Sequence, residues 1–519
     1  MIRTIELVLP PEIASDDQKL EAVVRDHLRI KKSSGITIEK LRRSVDARSR
    51  NPLINLSLRI FIDESPEPES PYTVSLRDVS SSPEVIIVGS GPAGYFAALE
   101  LIELGFRPVI FDRGKDVRAR RKDLRSIQQY GVVNPDSNYC FGEGGAGTYS
   151  DGKLYTRSHK RGDIRKALRI FTEHGASSEI LIDAHPHIGS NKLPGVVQNI
   201  RKPITDLGGE INFNSAVTGL IIKNSKVAGV IINNSEERLA SSVILSAGHS
   251  ARDIFYLLNR MSIRIEAKPF AMGMRIEHPQ ELIDEIRYRQ KPRSMHLPPA
   301  SYNLTTQVYG RGVYSFCMCP GGLIVPAATS PGEIVVNGMS MSRRSSEFAN
   351  AGIVVSITEQ DLRPYYSHGE LRGLEFQKDL ESTFFKCGDG SQKAPAQRIT
   401  DFLEHRLSST LGKTSYIPGV HSYMLAKLLP EQISRSLKIA LKNFEKKMKG
   451  FITEEACFVG LESRTSSPVR IPRDKDSLEH VEVSGLYPCG EGAGYAGGII
   501  SAALDGQNVA RALAEKRDH

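Results

Sequence analysis

The run Glu84-Val85-Ile86-Ile87-Val88 stops at Gly89-Ser90-Gly91-Pro92-Ala93-Gly94 and resumes as Tyr95-Phe96-Ala97-Ala98-Leu99-Glu100-Leu101. Few patterns restrict a fold so tightly, because a buried strand, a tight turn and a close-packed helix must follow in that order. Gly89 makes the turn, Gly91 lets backbone approach a pyrophosphate, and Gly94 brings the helix close to the strand. Pro92 and Ala93 open the helix, whose free N–H groups form a site for phosphate. The pattern predicts a helix end at Leu104-Gly105 and a second strand at Pro108-Val109-Ile110-Phe111. That strand ends on Asp112, 18 residues beyond Gly94, where a carboxylate accepts hydrogen bonds from an adenosine ribose. The competing reading is a βαβ turn that holds no nucleotide.

The densest basic run follows directly: Arg113, Lys115, Arg118, Arg120, Arg121, Lys122 and Arg125. It reads first as a solvated face, with contact to a cofactor phosphate, through Arg113 above all, as the alternative. A net charge of +8 over 519 residues is a modest excess. Nucleic acid is disfavoured as its reason, since no aromatic residues interleave with the charges as stacking platforms.

The length suits two or three domains, and 40% hydrophobic with 25% charged residues is ordinary for a globular chain. No apolar run reaches the ~20 residues that a bilayer requires, and Met1-Ile2-Arg3-Thr4-Ile5-Glu6-Leu7 lacks the apolar core of a signal peptide, so a cytoplasmic setting is expected. Six cysteines in so long a chain are no disulfide framework, no pair has zinc-ligand spacing, and no metal is expected. Residues 1–62 read as a separate α+β module, an open βαββ unit of ferredoxin-like type. Residues 63–83, rich in proline, serine and acids, read as its linker.

A second match to the glycine pattern falls at Gly142, Gly144 and Gly147 within Phe141-Gly142-Glu143-Gly144-Gly145-Ala146-Gly147-Thr148. No apolar strand precedes it, so it is not a second dinucleotide fold. Side-chain-free backbone there, including Gly145, is suited to lie against a flat ring or a phosphate, and a flexible loop is the alternative. A helix over Val196 to Leu207 leads to β-like runs at Ile211 to Phe213, Val217 to Ile222 and Val227 to Ile232. A further strand, Val243 to Ser246, runs into Ala247-Gly248-His249.

This order resembles the two-domain flavoprotein oxidoreductases of the glutathione-reductase type, which bind FAD in an extended conformation. The resemblance implies an α/β Rossmann-type domain with a β-meander, Val217 near the adenine, and Ala247-Gly248 at the cofactor. It also gives a role to the C-terminal Pro488-Cys489-Gly490-Glu491-Gly492-Ala493-Gly494-Tyr495-Ala496-Gly497-Gly498-Ile499-Ile500. There Gly490 and Glu491 would meet the ribityl chain, and amides around Gly497, Gly498 and Ile499, opening a helix over Ser501 to Leu513, would face the flavin pyrimidine. A helix N-terminus stabilises the negative charge of a reduced flavin. More closely, the stretches Phe141 to Thr148, Phe316-Cys317-Met318-Cys319-Pro320-Gly321-Gly322 and Glu462-Ser463-Arg464-Thr465-Ser466-Ser467-Pro468 are similar to a bacterial family of uncharacterised FAD-dependent dehydrogenases. The likeness runs from the N-terminal module to the last helix.

These readings divide the chain into a module at 1–62, a linker at 63–83, a nucleotide domain at 84–262 and 454–519, and an inserted mixed α+β substrate domain at 263–453. β-like runs in the insert fall at Tyr302 to Tyr309, Gly312 to Cys317 and Glu333 to Val336, and helices at Glu370 to Phe385, Gln397 to Leu407 and Glu431 to Lys446. Arg275, Glu277 and His278 are its titratable candidates, and His278 is a candidate catalytic residue. So are Cys317 and Cys319, expected near the flavin on one face of a strand, too far apart there for a direct disulfide. Two small apolar residues in a packed strand are the main alternative, and a redox pair and a metal ligand are the others. The function expected is an FAD-dependent oxidoreductase acting on a small molecule. NAD(P)H would enter only transiently, since no second strand-glycine-helix unit exists for it. The alternative is a flavin-containing RNA-binding or RNA-modifying protein gripped through residues 1–62.

Overall fold

The computed structural model describes residues 1–67, 70–155 and 162–517. Pro68 and Glu69, in the middle of the expected linker, lie outside the described residues. After them the short turn Tyr72–Ser75 docks on the nucleotide domain, the Tyr72 amide donating to Glu173 Oε1 at 2.8 Å.

The expected strand-helix-strand is present. Five parallel strands lie in the order Leu486–Pro488, Val243–Leu245, Glu84–Val88, Arg107–Phe111, Glu210–Asn212, an α/β arrangement in which the glycine turn leaves the central strand. Val85, Ile86 and Ile87 are fully buried, as a strand covered on both faces demands. The helix Pro92–Leu104 packs against the last helix, Ile499–Arg517, and a buried Glu100 ties them by accepting from Arg511 Nε at 2.6 Å and Gln507 Nε2 at 3.1 Å. Gly506 makes the approach, since a Cβ there would overlap the Ala93 carbonyl oxygen. The meander is Val217–Lys223, Lys226–Ile232 and Glu236–Leu239.

The second domain is a seven-stranded sheet in the order Thr305–Val308, Arg311–Cys319, Phe348–Ser356, Ala271–Pro279, Cys457–Glu462, Ala394–Arg398, Val420–Ser422. Helices Arg372–Lys386 and Glu431–Lys447 pack with it, and a hairpin of Gly322–Pro326 and Val336–Ser340 stands beside it. Two sequence boundaries need correction. Cys457–Glu462 belongs to this sheet, paired antiparallel with Ala271–Pro279, so the chain returns to the nucleotide domain only beyond Glu462 rather than at 454. Gln397 opens no helix: Ala394–Arg398 is a buried strand, and the helix is the short Ile399–Glu404.

The module has the βαββ order: strands Ile2–Leu9, Ile36–Asp46 and Leu53–Ile62 with the last in the centre, antiparallel to both others, and the helix Asp17–Leu28 as crossover. A complete ferredoxin-like fold adds a second helix and a fourth strand, which residues 1–62 do not contain. Its core residues Leu20, Val24, Leu56, Leu58 and Ile60 are continuous with the apolar core of the second domain.

Alternation along Ala271–Pro279 decides between its titratable candidates. Met274, Ile276 and His278 face the apolar core, and Arg275 and Glu277 face the other way. His278 is therefore a core residue, not a catalytic one: it is fully buried, its ring lies 4.7 Å from that of Phe451, and Nε2 bonds the Phe451 carbonyl at 2.9 Å. Burial lowers its pKa from 6.5 to about 4, because the imidazolium would lie in an apolar surrounding. The unfolded chain thus takes up a proton near pH 6.5 that the folded chain refuses until near pH 4. Stability contributed by neutral His278 is whole above pH 6.5 and is lost as pH falls towards 4. Denaturant unfolding at a series of pH values should show a loss of about 3 kcal/mol across that window from this residue. His278→Leu should flatten the profile by that amount, and an unchanged slope would contradict the assignment.

Candidate functional site

The first glycine turn contains two kinds of glycine. Gly89 has φ +102°, and a Cβ there would stand 3.0 Å from the Ser246 carbonyl oxygen; at Gly94 a Cβ would collide with the carbonyl oxygen of Gly89. Both are demanded by the protein's own packing. Gly91 differs: a Cβ there would meet nothing nearer than Gly145 Cα at 3.9 Å, and Gly91 is the N-cap of a helix that no side chain caps. Gly248, Gly497 and Gly498 have no atom within 4 Å of a would-be Cβ. Open glycine faces at the helix N-terminus, after the Val243–Leu245 strand and before the last helix form the cradle that an extended dinucleotide requires. Ile499 begins that last helix with its side chain buried.

Asp112 stands at the expected place. Its carboxylate accepts from Ser90 N at 2.9 Å, Ser90 Oγ at 2.6 Å and Gly114 N at 2.8 Å, so it also orients the turn. The backbone of Asn214 and Ser215 bonds to Gly114 and Asp112 and leads into the buried Val217, which brings the meander beside this acid. Arg113 has another role than phosphate contact: it bridges Asp136 at 2.7 Å and Asp253 at 2.8 Å, its guanidinium 4.6 Å from the Phe141 ring centre. At the far end, Gly490 has φ +78° and abuts Ala93. Glu491 lies 3.4 Å from His249 Nδ1, next to Gly248 on the neighbouring strand end, and Ala247 packs against Gly492.

The second glycine run is built differently from the expectation of bare backbone under a ring. Gly142 packs against Arg120, Gly144 against Val197 and its own Thr148, and Gly147 against Ile499. Thr148 is buried and donates to the Glu143 carbonyl at 3.0 Å. The run is fastened by two groups that sequence reading missed. Arg120, read as part of a solvated face, has no exposure: Nε donates to Asn138 O at 2.7 Å, and Nη1 donates to the carbonyls of Glu143 and Gly145, each at 2.9 Å. Glu143, also fully buried, accepts from Tyr95 OH and from Val117 N, each at 2.8 Å. A signal existed, since Val117, Arg120, Leu124 and Ile127, the buried residues of this helix, recur at helical spacing.

Ala146 and Ser150 of this loop face the hairpin across a cavity that is also lined by His249, Val325, Glu462 and Arg464. Each charged residue of the Glu462-Ser463-Arg464 motif has a partner. Arg464 binds Glu381 at 2.8 Å and Glu333 at 3.0 Å, and Arg252, from the nucleotide domain, binds the same two carboxylates at 2.7 and 2.9 Å. Those guanidiniums outweigh burial and bring Glu381 down to about 2. Glu462 binds Arg275 Nη1 at 2.8 Å. Glu277, the other polar candidate on the Arg275 face, accepts from Ser415 N at 3.0 Å and is held above the usual carboxylate range by burial.

Arg275 leads to the two cysteines. Its Nη2 donates to the Cys317 carbonyl at 2.7 Å and lies 3.7 Å from Cys319 Sγ, and Lys153 Nζ lies 3.7 Å from both sulfurs. Simple alternation fails here. Cys317 has φ +44° and the strand register shifts between Phe316 and Cys319, so the strand bulges at the pair. Both thiols are free; Cys317 is partly exposed and Cys319 buried.

Residues 269–465 match a family model described as "FAD-dependent protein, C-terminal domain-like", and residues 1–61 match a domain of unknown function. The whole chain is 40% identical to an uncharacterized protein of Clostridium beijerinckii, aligned over 96% of each chain. This chain belongs to that protein's family. Its cofactor is FAD. Solved structures resemble this family member only distantly: CtdE in complex with FAD at 11% identity and TM-score 0.32, covering 84% of each chain; the flavin-dependent brominase Bmp2 at 14% and 0.36, covering 83% of this chain and 78% of that one; and a geranylgeranyl bacteriochlorophyll reductase-like protein of Thermoplasma acidophilum at 13% and 0.35, covering 84% and 78%. Likenesses at this level carry no argument about this FAD-dependent chain. Among the described residues no helix is long and apolar enough to cross a membrane, and no His, Cys, Asp and Glu cluster has the form of a metal site.

The two kinds of glycine make separate predictions. Gly248→Ala and Gly498→Ala put a methyl group into open cradle, so they should weaken FAD binding tenfold or more, about 1.4 kcal/mol, with the melting temperature of the FAD-free protein unchanged. Gly94→Ala should lower that melting temperature, because the methyl group meets backbone. Fluorimetric FAD titration and thermal melting of the stripped protein read both; unaltered affinity in the first two variants would remove those glycines from the cofactor site. Asp112→Ala should also weaken FAD binding, by ~1.5–3 kcal/mol for each charge-assisted hydrogen bond to the ribose.

Proposed function

We propose that this protein is an FAD-dependent oxidoreductase of the dehydrogenase or reductase class, acting on a small molecule between its two domains. The observation that carries the reading is the cavity walled by the glycine loop and His249 on one side and by the hairpin, Glu462 and Arg464 on the other. It lies beyond the Glu491 end of the cradle, with His249 common to both. Bound FAD supplies two-electron transfer there. The chain supplies the rest: the uncapped N-terminus of Pro92–Leu104 faces the phosphates, Asp112 and Glu491 orient the two sugar-like segments, and Arg464 and Arg252 lock the insert against the nucleotide domain. Among the described residues one parallel sheet carries one such glycine turn, so NAD(P)H would have to enter the same cavity transiently.

One observation favours the RNA-binding alternative. A groove between the module and the second domain is lined by Arg48, Arg287, Arg289, Lys447 and Lys449. No aromatic residue lines it, and Asp46 pairs with Arg48, which leaves phosphate attraction without a base platform.

The test is anaerobic stopped-flow with the purified yellow protein. NADH or NADPH should bleach the flavin absorbance, and an added acceptor should restore it in stoichiometric amount. A His249→Phe variant should retain FAD and lose at least tenfold in acceptor turnover. A flavin that neither nicotinamide reduces, combined with RNA retention that disappears at high salt and on deletion of residues 1–62, would replace this reading with the alternative.

A further inference from the structure

The sulfur pair lies one layer behind the cavity wall. Gly338 and Glu462 line the cavity, a Cβ on Gly338 would overlap Arg275 Nη2, and that same nitrogen touches the Cys317 carbonyl and Cys319 Sγ. Five charged groups surround the pair. Lys153 and Arg275 face the sulfurs directly, Asp151 pairs with Lys153 at 3.5 Å and with Arg344 at 2.6 Å, and Glu462 pairs with Arg275. Three cations therefore stand against two carboxylates, and the excess positive charge falls where the sulfurs are. A buried positive excess is unfavourable unless a nearby group ionises, and a thiol is the group present.

We propose that Cys317 and Cys319 form a two-electron dithiol centre for a disulfide-class substrate, with Cys317 as the attacking thiolate and Cys319 as the resolving thiol. Three observations assign the roles. Cys317 is partly exposed and Cys319 is buried. The left-handed backbone at Cys317 breaks the pleat, which would otherwise hold residues i and i+2 apart in parallel. Cys319 Sγ donates to the Cys317 carbonyl at 3.3 Å, and the interaction between the two thiols, with Lys153 and Arg275, holds Cys317 well below the ordinary thiol value, while that interaction and burial hold Cys319 well above it.

The step balances as follows. Cys317 S⁻ attacks one sulfur of R–S–S–R, forms Cys317–S–S–R and releases RS⁻, which takes the Cys319 proton and leaves as RSH. Cys319 S⁻ attacks the Cys317 sulfur, forms the Cys317–Cys319 disulfide and releases the second RS⁻. The substrate gains two electrons and the pair loses them. Return of the pair to thiolate and thiol takes two electrons and one proton from a reduced flavin, and the inference rests on the FAD reading for that return alone.

The FAD-loaded protein can be titrated with substoichiometric dithiodipyridine, whose thiopyridone product absorbs, at pH values on both sides of the ordinary thiol value of about 8.5. A fast phase should persist well below that value and release about two thiopyridones per reagent molecule, and peptide mass mapping should find Cys317 joined to Cys319. Cys317→Ser should abolish the fast phase. Cys319→Ser should keep it but stop at about one thiopyridone, with a mixed disulfide left on Cys317. Lys153→Met, as a positioning change, should move the pH midpoint up by about one unit or more with FAD content unchanged. The proposal is overturned if wild-type protein with bound FAD shows no fast phase, if the fast phase maps to another cysteine, or if it survives Cys317→Ser. None of these readouts requires turnover, so their failure leaves the oxidoreductase reading standing.

Discussion

A guanidinium with no solvent exposure must find acceptors inside the protein, and Arg120 finds them in the carbonyls of Asn138, Glu143 and Gly145. Leaving a charge of this kind unpaired costs several kcal/mol, so the loop from 138 to 148 has little freedom to take another path. Glu143 adds a second fixed point by reaching Tyr95 on the nucleotide helix and the start of the helix that bears Arg120. With Arg120 and Glu143 in place, Gly145 lies against Gly91, and Ala146 and Ser150 face the second domain. The cradle and the cavity thus share one wall, and a buried ion with its carbonyls sets its position.

The opposite wall depends on charge as well. Arg464 and Arg252 hold Glu333 and Glu381 from two different domains. Ion pairs between exposed groups contribute little, but this set is almost wholly buried and mutually hydrogen-bonded, which makes removal of one member far more costly than any exposed pair. The insert is therefore seated on the nucleotide domain by a specific lock, and the N-terminal module, which shares the insert's apolar core, is carried with it.

The nucleotide domain was legible in the sequence because its physics is local. A strand, three glycines, a helix and an acid are consecutive, and each acts on its neighbours. The insert was only partly legible. Phe348–Ser356, a fully paired central strand, was not read as a strand, because burial on both faces removes the alternation that marks one; Ala271–Pro279 does alternate, at Met274-Arg275-Ile276-Glu277, but was read only for its titratable residues. At the site, Asp112 and the open glycines stand where the pattern put them, whereas Gly142 and Gly144 serve packing. Arg120 looked like surface because it sits among six other cations, although its helical spacing with Val117, Leu124 and Ile127 faces inward. His278 looked chemical by residue type alone, and its place on the apolar face of the strand decides otherwise. Lys153 gave no signal at all, since a lysine 164 residues before Cys317 meets it only in three dimensions.

The central claim is that one continuous path, from the Gly91 helix N-terminus past Glu491 to the cavity under the hairpin, holds an extended FAD. A crystal structure of the protein with FAD tests it most directly. The account predicts the pyrophosphate at the amides following Gly91, the ribityl chain beside Glu491, and the isoalloxazine ring between Ala146 and Ser150 on one side and Val325 and Arg464 on the other. Pyrophosphate bound elsewhere, or a ring lying outside that cavity, would contradict it.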